Sequence, residues 1–241
     1  MEQRIIAEKV KAYFPKAIDA KDTSIKYMGK LQNENNIDVS KVLMATSLCS
    51  DDINMPSTTF FSVLFGPFIM GGLGGLPFAG LTGVTAFAHH IPDNGTGFIF
   101  YGPHIGITMD GILGKMFRPR QDKATNSCGA LMLVLDRMTN IEGYTPTIDE
   151  NDYQQAKLEE SLLPYKNEII HAKNPQLKIT EVTYENINKR IHEYLSKAKG
   201  EFQCEKIVLL GGIVINTKAG LDDFFDVRNF EVIDIKSLQA F

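Results

Sequence analysis

The chain has little cysteine, no long basic run and no nucleotide-binding loop. Three cysteines in 241 residues are too few for a disulfide framework. Their odd, scattered placement reads as reduced thiols, one of them structural. A net charge of -4 without a basic run sets nucleic acid aside as a partner. The glycines are followed by no Gly-Lys-Ser/Thr ending and form no clean Gly-x-Gly-x-x-Gly, which excludes the common phosphate cradles. No internal repeat, low-complexity tract or clear linker interrupts the chain. Met1 to Lys9 forms a charged amphipathic helix that lacks the apolar stretch and cleavage site of a signal peptide. It also has acids, unlike a typical transit peptide. The expectation is a cytoplasmic protein in a reducing compartment.

What the chain does have is a long uncharged segment. Phe60 to Ala88 holds no charged residue, but it contains seven glycines and two prolines and runs into His89-His90. The length suits a bilayer span. The prolines break a continuous helix, so a buried internal element is the better reading and no membrane is expected. Gly71 and Gly75 have helix–helix contact spacing, within the subunit or across a dimer. Glycine here also allows close backbone packing or approach to a small ligand.

Apolar runs predict strands at Val42–Leu48, Phe98–Tyr101, Ile207–Asn216 and Phe230–Ile235. Val42–Leu48 is apolar on both faces, as in a buried parallel strand. Residues 1–14 place Ile5, Ile6, Val10, Tyr13 and Phe14 on one helical face. Thr23 is the expected N-cap of a second helix with Ile25, Met28 and Leu31 inward. Further helices are predicted over 131–138, from Tyr153 to Ile170, and after Pro175, the last with Gly200 as its C-terminal cap. Mixed strands and helices argue an α/β fold.

Three segments put a metal-ligating side chain beside an apolar run. Cys49 follows the first strand, His104 follows Phe98–Tyr101, and Cys128 precedes the helix at 131. Residues just past strand ends share one crevice in an open sheet. Two thiols and an imidazole make a soft, zinc-preferring set. With a fourth position open, zinc makes a nucleophile of water at physiological pH. Asp51, two residues past Cys49, is placed to accept a hydrogen bond from that water or to bind the metal itself. An arginine would orient it. Arg118 and Arg120 lie ten and eight residues before Cys128. Each residue also has an ordinary explanation. Cys49 is as well read as a small buried hydrophobe, and His104 as a hydrogen-bonded loop histidine. There is no Cys-x-x-Cys. His89 and His90 compete as ligands or as proton shuttles. Cys204 reads as structural, and His171 and His192 as solvated.

Taken together, several segments resemble the limiting-CO2-inducible B/C family. They are Cys49-Ser50-Asp51-Asp52-Ile53-Asn54, the run from Gly71 to Gly80, Phe87-Ala88-His89-His90-Ile91-Pro92, Tyr101-Gly102-Pro103-His104-Ile105-Gly106, Ser127-Cys128-Gly129-Ala130 and Gly211-Gly212-Ile213-Val214-Ile215-Asn216. Active members of that family are theta-class carbonic anhydrases close to the beta class. The resemblance covers roughly residues 40 to 230. It implies an α/β, beta-carbonic-anhydrase-like fold with a mainly parallel sheet flanked by helices. The domain would be single, over 1–241, with an N-terminal helical arm over about residues 1–38. The family's zinc ligands carry over onto Cys49, His104 and Cys128. The Cys-x-Asp of beta-type sites matches Cys49-x-Asp51, but Ile53 stands where their arginine usually follows. Arg118 is the expected substitute and Arg120 the reserve. The implied activity is reversible hydration of CO2 to bicarbonate, a lyase reaction, with Zn2+ as cofactor, in a homodimer. His89 or His90 would pass the proton out. A second expectation is an inactive zinc-binding scaffold in inorganic-carbon handling. A third is a thiol-reactive enzyme using Cys49 without metal.

Overall fold

The computed structural model describes residues 1–54 and 60–237. In chain order the main elements are α1 (Glu2–Tyr13), β1 (Ile18–Asp19), α2 (Ala20–Gly29), β2 (Val42–Ser47), β3 (Phe65–Ile69), α3 (Gly80–His90), β4 (Thr96–Tyr101) and β5 (His104–Gly106). There follow β6 (Lys115–Met116), β7 (Thr125–Asn126), α4 (Gly129–Asn140), α5 (Tyr153–Leu162), α6 (Lys166–Ile170), α7 (Pro175–Lys197), β8 (Lys206–Asn216) and β9 (Phe224–Asp234).

The sheet order is β1-β9-β8-β4-β2-β3, and β5 pairs with the far end of β8. The β2–β3, β2–β4, β4–β8 and β5–β8 ladders are parallel. In this sheet β9 is reversed, antiparallel to both of its neighbours, β8 and β1. The fold is therefore α/β with a mainly parallel sheet. Every residue of β2 and β4 is buried, because helices cover both faces. Successive side chains alternate between faces. Leu43, Ala45, Ile99 and Leu209 pack with α1, α3, α4, α5 and α7 in one core. Met44, Phe98, Phe100 and Leu210 pack with α2 in the other. There, the rings of Phe60 and Phe61 lie 5.2 and 5.0 Å from those of Phe100 and Phe98.

Several local expectations change. The cap of α2 is Asp19, whose carboxylate accepts from the Asp22 N–H at 2.8 Å. Thr23 lies inside the helix, and Thr23, Tyr27 and Leu31 form its buried stripe at four-residue spacing. That phase turns Ile25 outward, to 62% exposure. The helix expected from Tyr153 to Ile170 breaks at Leu163-Pro164-Tyr165 into α5 and α6, since proline donates no N–H to the turn before it. Helix α7 ends at Lys197, and Gly200 falls in the short turn beyond.

Gly71 and Gly75 lie in no α-helix, so their spacing is no helix–helix contact. They press onto strand ends instead. A Cβ on Gly71 would stand 2.1 Å from the Leu48 carbonyl oxygen. One on Gly75, at φ +89, would stand 2.6 Å from that of Gly102. The uncharged segment thus folds into β3, a tight glycine turn and α3. No helix among the described residues is long and apolar enough to cross a membrane.

Candidate metal centre

The parallel strands end together. Ser47 of β2 pairs with Tyr101 of β4, and Tyr101 pairs with Gly211 of β8. Just past that edge the chain leaves β2 through Leu48 and Cys49, and passes from β4 through Gly102-Pro103 into His104. Cys128 enters from the other side as the residue capping α4. The sequence puts three donors at one sheet edge because each directly follows a strand or precedes a helix.

One donor atom from each of Cys49, His104 and Cys128 lies within 4.8 Å of the others. The two sulfurs are 3.6 Å apart. Exposures are 4% for Cys49, 1% for His104 and 1% for Cys128. Among the described residues no other group of His, Cys, Asp or Glu gathers in this way. His104 Nδ1 bonds Asn216 Oδ1 at 2.7 Å, whereas His104 Nε2 is buried without a hydrogen-bond partner. Buried polar atoms are almost always paired, so an orphan needs an explanation. A cation between Nε2 and two sulfurs supplies one, and the donor set suits a soft divalent ion. Cys49, His104 and Cys128 thus form a group able to hold a metal.

The electrostatics of the pair are unequal. The hydrogen bond from Cys49 lowers the Cys128 thiol, helped by the backbone N–H groups of Leu131 and Ala130 at the start of α4. Helix N-termini favour thiolates in this way. Cys49 is pushed up, first by that same bond and then by burial. Two thiols this close cannot both ionise easily without a neighbouring positive charge.

Beside the cluster, Asp51 Oδ2 lies 3.9 Å from His104 Nε2. Arg118 Nη2 holds both Asp51 oxygens at 2.7 Å. Arg118 Nη1 bonds Thr125 Oγ1 at 2.6 Å and the Asn126 carbonyl at 3.1 Å, and Nε bonds Asp52 at 3.2 Å. Burial opposes the charge on Asp51, but hydrogen bonding with Asp52 and Arg118 holds its carboxyl below the usual value.

The structure therefore brings Cys49, His104, Cys128, Asp51 and Arg118 together. It does not bring His89, His90 or Arg120 to them. Helix α3 ends at His90, and neither histidine is in the group that gathers around Cys49, His104 and Cys128. His89 pairs with Glu201 at 3.0 Å, and His90 lies against the Phe68 ring. Arg120 is exposed in the turn between β6 and β7. Cys204 is buried apart from the cluster. His171 bonds its own helix, and His192 bridges the Asn188 carbonyl and Glu231. Sequence reasoning missed Asn216 and Ser127, which meet His104 Nδ1, and Asp223, which accepts from Asn216. Asn216 ends an apolar strand, as a polar residue at a sheet edge ordinarily does.

An open sheet with this cluster at its strand ends defines an α/β protein of beta-carbonic-anhydrase-like architecture. Residues 18–234 match the model for limiting CO2-inducible proteins B/C beta carbonic anhydrases, and the chain belongs to that family. It is similar to the crystal structure of PtLCIB4, a homolog of the limiting CO2-inducible protein LCIB, with a TM-score of 0.89 and 30% identity over 98% of each chain. It is similar to LCIB with a TM-score of 0.70 and 19% identity, covering 93% of this chain and 96% of that one. The beta-carbonic anhydrase CafA of Aspergillus fumigatus matches with a TM-score of 0.44 and 12% identity over 81% and 84% of the two chains. No curated protein matches the chain.

Proposed function

We propose that the chain is a zinc-dependent carbonic anhydrase that interconverts CO2 and bicarbonate. The observation that carries this reading is the buried meeting of Cys49, His104 and Cys128, with an unpartnered His104 Nε2 beside an arginine-held aspartate. When bound there, zinc supplies the Lewis acidity that makes water a nucleophile near neutral pH. The two cysteines enter as thiolates and balance the charge of a divalent ion, while His104 enters as a neutral imidazole through Nε2. Asp51, with both oxygens fixed by Arg118 and its carboxylate held ionised, accepts a hydrogen bond from the attacking water and orients it. Asp51 retains 12% side-chain exposure, which gives the proton a short way out. His89, which pairs with Glu201, and His90, which lies against Phe68, take the proton only after it has left the cluster. The active unit is a homodimer, a reading supported by the exposed apolar edge at Val63, Phe65 and Ile69.

Stopped-flow CO2 hydration on zinc-loaded protein, with Cys49→Ala alongside, tests the reading. Rapid hydration lost in the variant is expected. Stoichiometric zinc with no hydration in the wild type at neutral and alkaline pH would sink it in favour of a zinc-binding scaffold.

A further inference from the structure

Asn216 meets His104 across the β5–β8 ladder. In that parallel register His104 pairs with Val214 and Gly106 pairs with Asn216. Residues two apart share a face, so Asn216 sits on the side to which His104 points. Its Oδ1 lies 2.7 Å from His104 Nδ1 and accepts from Ser127 Oγ at 3.4 Å. Its Nδ2 donates to Asp223 Oδ2 at 3.1 Å and to Asn54 Oδ1 at 3.3 Å. The residue is 1% exposed, and both ends of its amide are satisfied inside the protein. Asp223 is fixed in turn, because its Oδ1 accepts the backbone N–H of Thr217 at 2.8 Å.

The direction of this chain follows from what each group can do. A carboxylate only accepts, so Asp223 draws the amino end of Asn216 toward itself. The carbonyl end then faces His104, and it too only accepts. His104 must place its proton on Nδ1 to meet it, which leaves the lone pair on Nε2. Nε2 is the buried, unpartnered atom, and with Nδ1 held by Asn216 it is the nitrogen left free for the group formed with the two thiols. With the amide reversed, its NH2 would face Nδ1, the ring proton would move to Nε2, and Nε2 would no longer be a donor to a cation. Ser127 Oγ also lies 3.3 Å from Nδ1, but a hydroxyl both gives and takes and does not decide the tautomer.

We infer that Asp223, acting through Asn216, sets the tautomer of His104 and thereby makes Nε2 a metal donor. Both are positioning residues. The inference rests on the reading of the cluster as a zinc site and is independent of whether the chain hydrates CO2.

The test uses two variants of the full chain, Asp223→Asn and Asn216→Leu, at alkaline pH, because in metal-free protein burial disfavours a second proton on His104 but Cys49, Asn216 and Asp51 favour it and raise the ring above its usual value. Ring 15N shifts of His104 in metal-free protein report the tautomer, and competition with a chelator reports zinc affinity. Wild type is expected to show a single Nδ1–H form. Both variants are expected to show mixed tautomers and a ten- to hundredfold weaker hold on zinc, the range for partners that orient a metal-bound histidine. Circular dichroism establishes the fold of each, so that failure of one to fold leaves the other to decide. A folded variant with a pure Nδ1–H ring and wild-type affinity would overturn the inference while leaving the enzyme reading intact. Wild-type protein that binds zinc without hydrating CO2 would do the reverse.

Discussion

Arg118 makes five hydrogen bonds, two of them to Asp51, and so decides where that carboxylate points. Replacing it by alanine should leave zinc bound and lower CO2 hydration by about 10²-fold, the cost of misplacing the group that orients the attacking water. Lysine should not restore the rate, because a single ammonium cannot hold Thr125, Asn126 and Asp52 while it holds Asp51. Metal content and kcat/KM measured on the same samples check both statements, and a wild-type rate in Arg118→Ala would remove Asp51 from the chemistry. Asp223 makes a second prediction. Burial pushes its carboxyl up to about 6 from 3.8, against the hydrogen bonds from Thr217 and Asn216. The folded chain then binds this proton more tightly than the unfolded one. Its contribution to stability is full below pH 3.8 and is lost as pH rises through about 6. In metal-free protein, the unfolding free energy of wild type minus that of Asp223→Asn should fall by about 2 kcal/mol between about pH 4 and about pH 7. Urea melts at the two pH values read this directly, and a flat difference would contradict it. Cys49, His104 and Cys128 were legible in the sequence because each breaks or borders an apolar run. Asn216 and Asp223 were not. A polar residue at a strand end is the ordinary pattern of a sheet edge, and their meeting depends on the β8–β9 hairpin, whose register shifts between Gly211 and Gly212.

At the scale of elements, the site depends on how closely the glycine turn and the β4–β5 link approach the strands. Gly102 has φ +151, and a Cβ there would lie 1.7 Å from the Gly212 carbonyl oxygen. Nothing on a rigid backbone can move aside cheaply, so Gly102→Ala should reduce the unfolding free energy by more than about 3 kcal/mol. A loss under about 1 kcal/mol in denaturant melts would show that the β4–β5 link tolerates displacement. The central strands were legible from their apolar runs, since a strand buried on both faces has no polar side. The first half of β9 was not, because its charged Asp226 and Arg228 bond each other beside an otherwise apolar start. The α2 cap was misread for a different reason. Thr23 and Asp19 are both good caps, and only the packing of Tyr27 and Leu31 against the sheet selects the earlier one.

At the scale of the molecule, strand β3 forms one edge of the sheet, with Phe65 71% and Ile69 62% exposed and Val63 beside them at 79%. Apolar residues on an uncovered edge strand favour association. Wild type should run as a dimer in size-exclusion chromatography with light scattering, and Phe65→Asp with Ile69→Asp should shift it toward monomer with the fold retained. A monomeric wild type would contradict that assembly. On the proposed function, one zinc held by Cys49, His104 and Cys128 enables this chain to hydrate CO2. The hydration rate of metal-free protein titrated with zinc tests this most directly. The rate is expected to rise in proportion to occupancy and to level off at one zinc per chain. One zinc per chain bound with no rate above that of buffer would contradict it.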